Sequence, residues 1–286
     1  MGAIAAPTPR RIHTHDGLAL RAWDYGGEGP ALILCHCTGT CARIWDPVVA
    51  RLEGAFRVVA IDSRAHGDSE APPTRAACRW TLSGRDILTV ADTLGMGKGV
   101  WAAGHSGGAA HVAYAELLRP GRFARIALID AICGPPKFFE GENRLAAQAR
   151  RRRNAFDRRE TAHARFASKP PMASWMPEAL DAYIAHALAD CDDGRVVLKC
   201  APYVEAWMYE LGGAFDCFGR LDEVRCPALI VTGEHSEIAP LAHMQAARLP
   251  DAELHTLRGV GHFCPQEDPE AIALLLREWF GKSGAA

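Results

Sequence analysis

The sequence predicts an α/β protein: a mostly parallel eight-stranded sheet flanked by helices, with a helical segment inserted into it. Three observations carry this expectation. Over the first 130 residues short apolar runs alternate with helical patterns, which is the rhythm of βαβ units. From Gly134 that rhythm stops, and about eighty residues follow with helical periodicity and no convincing strand. After Leu221 the alternation returns. The 286 residues therefore divide into a core (1–133 and 221–286) and an insertion (134–220), instead of two domains in series.

The elements follow in order. Arg11 to Thr14 and Leu18 to Trp23 read as a hairpin turned at Asp16-Gly17. Ala31 to Cys35 is a continuous apolar run, as a strand buried on both faces should be. Phe56 to Ile61, Gly99 to Gly104 and Ile126 to Ile129 repeat that pattern, the first and last ending at Asp62 and Asp130. Helical patterns occupy Ile44 to Leu52, Leu82 to Leu94 and Ala109 to Leu118, the last stopped by Arg119-Pro120-Gly121. Pro135-Pro136 opens the insertion. Beyond it come strands at Ala228 to Thr232 and Ala252 to Leu257, with helices at Leu241 to Leu249 and Pro269 to Phe280.

Composition excludes several classes. Lys+Arg 32 against Asp+Glu 34 gives a net charge of -2, so no global field favours nucleic acid or an anionic membrane. No apolar run approaches the length of a membrane span, and Met1 to Arg11 lacks the pattern of a secretory leader, so a cytoplasmic protein is expected. The ten cysteines form no CxxC pair. Cys35, His36, Cys37 and Cys41 cluster without the second ligand pair that zinc requires, so the thiols read as small hydrophobes and no metal is expected. With no Gly-x-Gly-x-x-Gly or phosphate loop, no nucleotide cofactor is expected.

The insertion is basic and aromatic. Residues 140–170 hold nine Lys/Arg against four Asp/Glu. That run is either a solvated helix face or an attraction for a substrate carrying a carboxylate. Aromatic residues of the insertion, Trp175 and Trp207 among them, are expected to build its core and to supply a few side chains, with Cys37, to a substrate pocket.

The strongest chemical signal is Gly104-His105-Ser106-Gly107-Gly108, between an apolar strand and an amphipathic helix. A Gly-x-Ser-x-Gly turn in that setting thrusts its serine out at the top of a sheet, with the following N–H aimed at the same point. A serine hydroxyl needs a base. His262, in the loop after the last strand, is placed for it, while His36, His105, His243 and His255 are not. His235 is the competitor.

With these residues the chain resembles the α/β-hydrolase superfamily over nearly its whole length. Asp62-Ser63-Arg64-Ala65-His66-Gly67-Asp68-Ser69 is similar to the family's D-x-R-G-x-G-x-S loop, and His36-Cys37 stands where the family shows His-Gly. The resemblance implies that the Thr38 and Gly107 backbone N–H groups form an oxyanion hole. It also implies an acid three residues after Gly233, but Ser236 stands there. Asp130 at the end of the sixth strand, a place from which some lactonases and dehalogenases draw their acid, and Glu237 are the two substitutes. Strand placement favours Asp130, because the acid must hold one imidazole tautomer rigidly.

The implied function is a cofactor-free serine hydrolase that cleaves an ester or lactone of a bulky apolar or aromatic small molecule. Serine at the elbow argues against epoxide hydrolase and haloalkane dehalogenase chemistry, which places Asp there, and the basic insertion argues against an aminopeptidase. Hydrolysis of a carbon–carbon bond in a ring-cleavage product, hydrolysis of an amide, and a non-catalytic small-molecule receptor on the same scaffold stay open. A small-molecule substrate is the expected partner, and a homodimer is compatible with the sequence.

Overall fold

A computed structural model describes residues 6–212 and 216–282; Phe215 and the start of the chain before Ala6 lie outside the described residues. Eight strands form one sheet. They are β1 (Thr8–His13), β2 (Ala19–Gly26), β3 (Ala31–Cys35), β4 (Arg57–Asp62), β5 (Val100–His105), β6 (Phe123–Ile129), and, far along the chain, β10 (Ala228–Gly233) and β11 (Ala252–Leu257). Their order is β1-β2-β4-β3-β5-β6-β10-β11. β2 runs antiparallel to both of its neighbours, β1 and β4; from β4 to β11 all pairings are parallel. The central strands explain their own placement: Leu32, Ile33 and Leu34 are fully buried, as both-face burial by crossover helices demands.

Helices α1 (Asp46–Arg51), α2 (Trp80–Thr93), α3 (Gly107–Leu118), α8 (Ala239–Arg248) and α10 (Pro269–Gly281) cover the two faces, and a short α9 (Cys264–Glu267) follows β11. Two apolar clusters result, one under Trp45, Val48, Leu276 and Phe280, the other under Ile87, Val112, Phe123 and Leu221. A Cβ on Gly84 would stand 2.7 Å from the Tyr114 ring, so α2 and α3 meet closely only because that residue is glycine.

Between β6 and β10 the chain leaves the sheet and contributes no strand to it. This insertion carries α4 (Arg144–Arg150), α5 (Arg159–Ala167), α6 (Pro177–His186) and α7 (Pro202–Leu211). It also carries a second sheet, which corrects the expectation of an all-helical segment. Here β7 (Ala155–Phe156), β8 (Leu188–Asp190) and β9 (Val196–Leu198) pair in the order β7-β9-β8, all antiparallel. The β8–β9 hairpin turns through Asp192-Asp193-Gly194, where Gly194 has φ +82 and Cys191 donates its N–H to Arg195 O at 2.9 Å. Strands of two or three residues are too short to display alternation, so the helical pattern around them dominates the sequence.

No helix among the described residues is long and apolar enough to cross a membrane.

Candidate active site

Ser106 links β5 to α3 at φ +57, ψ -118, a backbone region that costs a non-glycine residue about 1–3 kcal/mol. The end of β6 and the loop after it hold it there. Its N–H donates to Ile129 O at 2.9 Å, and its carbonyl accepts from Ile132 N at 3.2 Å. The glycines of the turn are steric necessities: a Cβ on Gly104 would stand 2.4 Å from Gly108 O, and one on Gly108 would stand 2.5 Å from Cys35 O.

His262 stands in the loop between β11 and α9. Glu267 accepts the Gly261 N–H at 2.6 Å, and the His105 ring, through Nε2, bonds the His262 carbonyl at 2.8 Å. Gly233 lets this loop close onto the end of β10, since a Cβ there would stand 2.1 Å from Gly261 O. The His262 ring then spans two partners: Nε2 is 3.0 Å from Ser106 Oγ and Nδ1 is 2.6 Å from Asp130 Oδ2.

Asp130 terminates β6 with φ +43, its N–H donated to Val231 O of β10 at 2.7 Å. Two hydroxyls complete its shell. Thr232 Oγ1 donates to Oδ1 and Ser236 Oγ donates to Oδ2, each at 2.5 Å. Burial alone would raise this carboxyl, but the hydrogen bonds and charge of His262, with Ser236 and Thr232, outweigh it and hold Asp130 below the ordinary carboxylate range. Ser236, three residues after Gly233, is therefore a donor to Asp130, which follows the neighbouring strand. Glu237 and His235, the alternatives, are both exposed and line the cavity beside Ser106 and His262; among the described residues neither bonds Ser106 or His262.

The loop after β3 faces Ser106 and is fixed by two buried histidines. His66 Nε2 accepts the Gly39 N–H at 2.9 Å, and His36 Nε2 accepts the Ser63 N–H at 3.0 Å. With Nε2 as acceptor, each ring carries its proton on Nδ1, which donates to Arg64 O and Cys37 O respectively. Burial lowers His36 to about 4 and His66 to about 3, so both stay neutral. Thr38 lies directly against the elbow: its Oγ1 is 2.8 Å from where a Cβ on Gly107 would stand.

The insertion grips the same loop from the other side. Arg152 donates to Glu205 Oε2 at 2.8 Å and to the Tyr183 hydroxyl. Glu205 Oε1 would lie 2.5 Å from a Cβ on Gly39 (φ +84), so glycine is required at that contact. This cluster has no motif that could have revealed it. Arg64 of the D-x-R loop is equally structural, a buried bidentate partner of Asp86 at 2.8 and 2.7 Å.

Ser106 and His262 open into a cavity of about 690 Å³, a size suited to a small-molecule ligand. Cys37, Thr38 and Thr40 line it, as do Phe156, Phe166 and Tyr209 of the insertion. Trp175 and Trp207, expected there, do not line it. On α7, Glu205 and Tyr209 share the face turned to the cavity, and Trp207, two residues on from Glu205, points away against Tyr203 at 5.0 Å. Trp175 is buried between Phe263 (5.2 Å) and Tyr183 (5.9 Å), tying the insertion to the His262 loop. Cys133 and Cys264, close to the triad in sequence, are buried and outside the lining, and burial pushes the Cys37 thiol up to about 12.

A family model described as "Alpha/beta hydrolase family" matches residues 32–273. The chain is 27% identical to the 2-hydroxy-6-oxononadienedioate/2-hydroxy-6-oxononatrienedioate hydrolase of Burkholderia vietnamiensis (strain G4 / LMG 22486), an alignment covering 92% of each. It is 30% identical over 127 residues to the probable oxidoreductase EphD of Mycobacterium tuberculosis, but spans only about a fifth of that protein's length (44% of this chain, 21% of the relative). The crystal structure of E-2-(acetamidomethylene)succinate hydrolase superposes with a TM-score of 0.85 at 21% identity, covering 96% of this chain and 99% of the other, a likeness of fold.

Proposed function

The chain belongs to the alpha/beta hydrolase family, and from that premise we propose that it is a serine hydrolase cleaving a carboxylic ester or lactone through an acyl-enzyme. One observation carries the reading: the continuous hydrogen-bonded line from Ser106 Oγ through His262 to Asp130.

In this reading His262 Nε2 takes the hydroxyl proton as Ser106 Oγ attacks the carbonyl carbon. Asp130 accepts Nδ1–H, holds the tautomer and stabilises the imidazolium without itself being protonated. The N–H groups of Gly107 and Thr38 receive the developing oxyanion, at the N-terminal end of α3 where the helix dipole helps. His262 then gives its proton to the leaving alcohol and activates the water that releases the acid. The insertion, 134–220, acts as a cap that shapes the pocket. Phe156, Phe166 and Tyr209 supply its aromatic surface for the substrate.

A second reading, hydrolysis of a carbon–carbon bond in a ring-cleavage product, is favoured by the full-length match to the Burkholderia vietnamiensis hydrolase. A panel of p-nitrophenyl esters of graded chain length, simple lactones and a ring-fission dienoate separates them. The proposal expects many turnovers per protein on an ester or lactone, abolished by Ser106→Ala. Turnover of the dienoate alone favours the second reading, and stabilisation by a ligand without turnover favours a receptor.

A further inference from the structure

The basic run of the insertion is not spread over an outer face. Arg151, Arg153, Arg165 and Lys169 all line the cavity that contains Ser106 and His262. Among the described residues none of the four takes part in an ion pair, whereas Arg150 and Arg159, from the same stretch but outside the lining, pair with Glu210 and Asp190. Arg153 is already oriented, with Nε donating to Ala155 O at 2.7 Å and its guanidinium 5.1 Å above the Phe156 ring.

The carboxylates of the cavity do not balance these charges. Glu205 is taken by Arg152 at 2.8 Å, and Glu267 accepts the Gly261 N–H. Glu237 is the remaining one. Phe156, Phe166 and Met172 give the same wall an apolar floor, and a concave wall of low dielectric constant strengthens the field of the cations above it. Guanidinium forks match a carboxylate in shape as well as in sign.

We propose that the cavity takes an ester or lactone bearing a free carboxylate, held by Arg151, Arg153, Arg165 and Lys169 while Ser106 attacks the other carbonyl. This rests on the serine-hydrolase reading and names the substrate class for that site.

The test compares substrates matched in size: monomethyl adipate against methyl hexanoate for a carboxylate on the acyl side, and 4-butyryloxybutanoate against butyl butyrate for one on the alcohol side. At low ionic strength kcat/KM should favour the charged member of at least one pair by about tenfold or more, as cationic clefts do for anions. Added 0.5 M NaCl should shrink that preference several-fold, since the rim groups are exposed and screened. The double variant Arg165→Gln, Lys169→Gln should bring the ratio toward one, while Arg158→Gln, exposed and outside the lining, keeps the wild-type ratio. Equal rates within both pairs, or a preference that survives the double substitution, would overturn the proposal. Calorimetric titration of Ser106→Ala protein with adipate reads the rim without turnover: binding should weaken about tenfold in the double rim variant, and no binding in either protein counts against the rim. Failure of the hydrolase reading is separate, seen as no turnover of any ester and no reaction of Ser106 with a fluorophosphonate.

Discussion

The ends of the sheet strands and the inserted segment meet across one cavity, yet they are built on different principles. Ser106, Asp130 and His262 stand at or just beyond the C-terminal ends of β5, β6 and β11, on backbone that parallel pairing and apolar burial make rigid. Ser106 and Asp130 both hold positive φ there, which only a firm scaffold sustains. The insertion has short helices, strands of two or three residues and an ion pair, Arg152–Glu205, in its interior. In the proposed reading the sheet contributes the chemistry, which tolerates little displacement. The insertion contributes charge and aromatic surface to the cavity wall, on side chains such as Arg165, Phe166 and Lys169 that make no hydrogen bond to Ser106, His262 or Asp130.

Substitutions probe that division, from the largest effect to the smallest. On the sheet side, Asp130→Asn should lower kcat by about 10⁴-fold, because the amide favours the wrong imidazole tautomer. Glu237→Gln should change it by no more than about twofold. Steady-state kinetics on one ester compare the two, and the reverse pattern would move the acid from the sheet to the loop. On the insertion side, Arg152→Met leaves Glu205 (side-chain exposure 6%) without its cation, and should cost about 3 kcal/mol of stability in urea unfolding. A loss below about 1 kcal/mol would mean the pair does not hold the insertion against the Gly39 loop. Ser236→Ala removes one of the donors to Asp130 Oδ2 and should lower kcat about tenfold, equivalent to about 1.4 kcal/mol. No change in kcat would show that His262 and Thr232 suffice.

A separate prediction concerns pH. Burial lowers His36 to about 4 and His66 and His111 to about 3. The unfolded chain takes up these protons near 6.5. The native state therefore has their full contribution above about pH 6.5 and loses it as the pH falls toward 4, because unfolding then binds protons. Each group should tilt stability by about 1.4 kcal/mol per pH unit in that window. Urea midpoints from pH 7.5 to 4.5 measure the slope. A flat profile would contradict neutral, buried rings at His36 and His66 beside the Gly39 loop and at His111 on α3.

The legibility of the sequence follows the same boundary. The β3 and β10 runs, Ala31–Cys35 and Ala228–Gly233, declare themselves because strands covered on both faces are continuously apolar. Gly104, Ser106 and Gly108 are legible because the tight turn restricts which residues fit. The insertion hides more. Its β8–β9 hairpin had only Asp193-Gly194 to announce it, and the facing of Trp175 and Trp207 depends on packing that composition does not encode. Ser236 reads in sequence as a gap in the family pattern; its bond to Asp130 depends on how β6 and β10 align, a tertiary fact. The charge excess of residues 140–170 is visible in sequence, but which of its cations face the cavity is not.

The central claim is that His262 and Asp130 make Ser106 a nucleophile, and labelling with a fluorophosphonate tests it most directly. Wild-type protein should gain one phosphonyl adduct by intact mass, mapped to the peptide containing Ser106, while Ser106→Ala gains none and His262→Ala reacts orders of magnitude more slowly. A folded wild-type protein whose Ser106 stays unlabelled, or labels as fast without His262, would contradict the account.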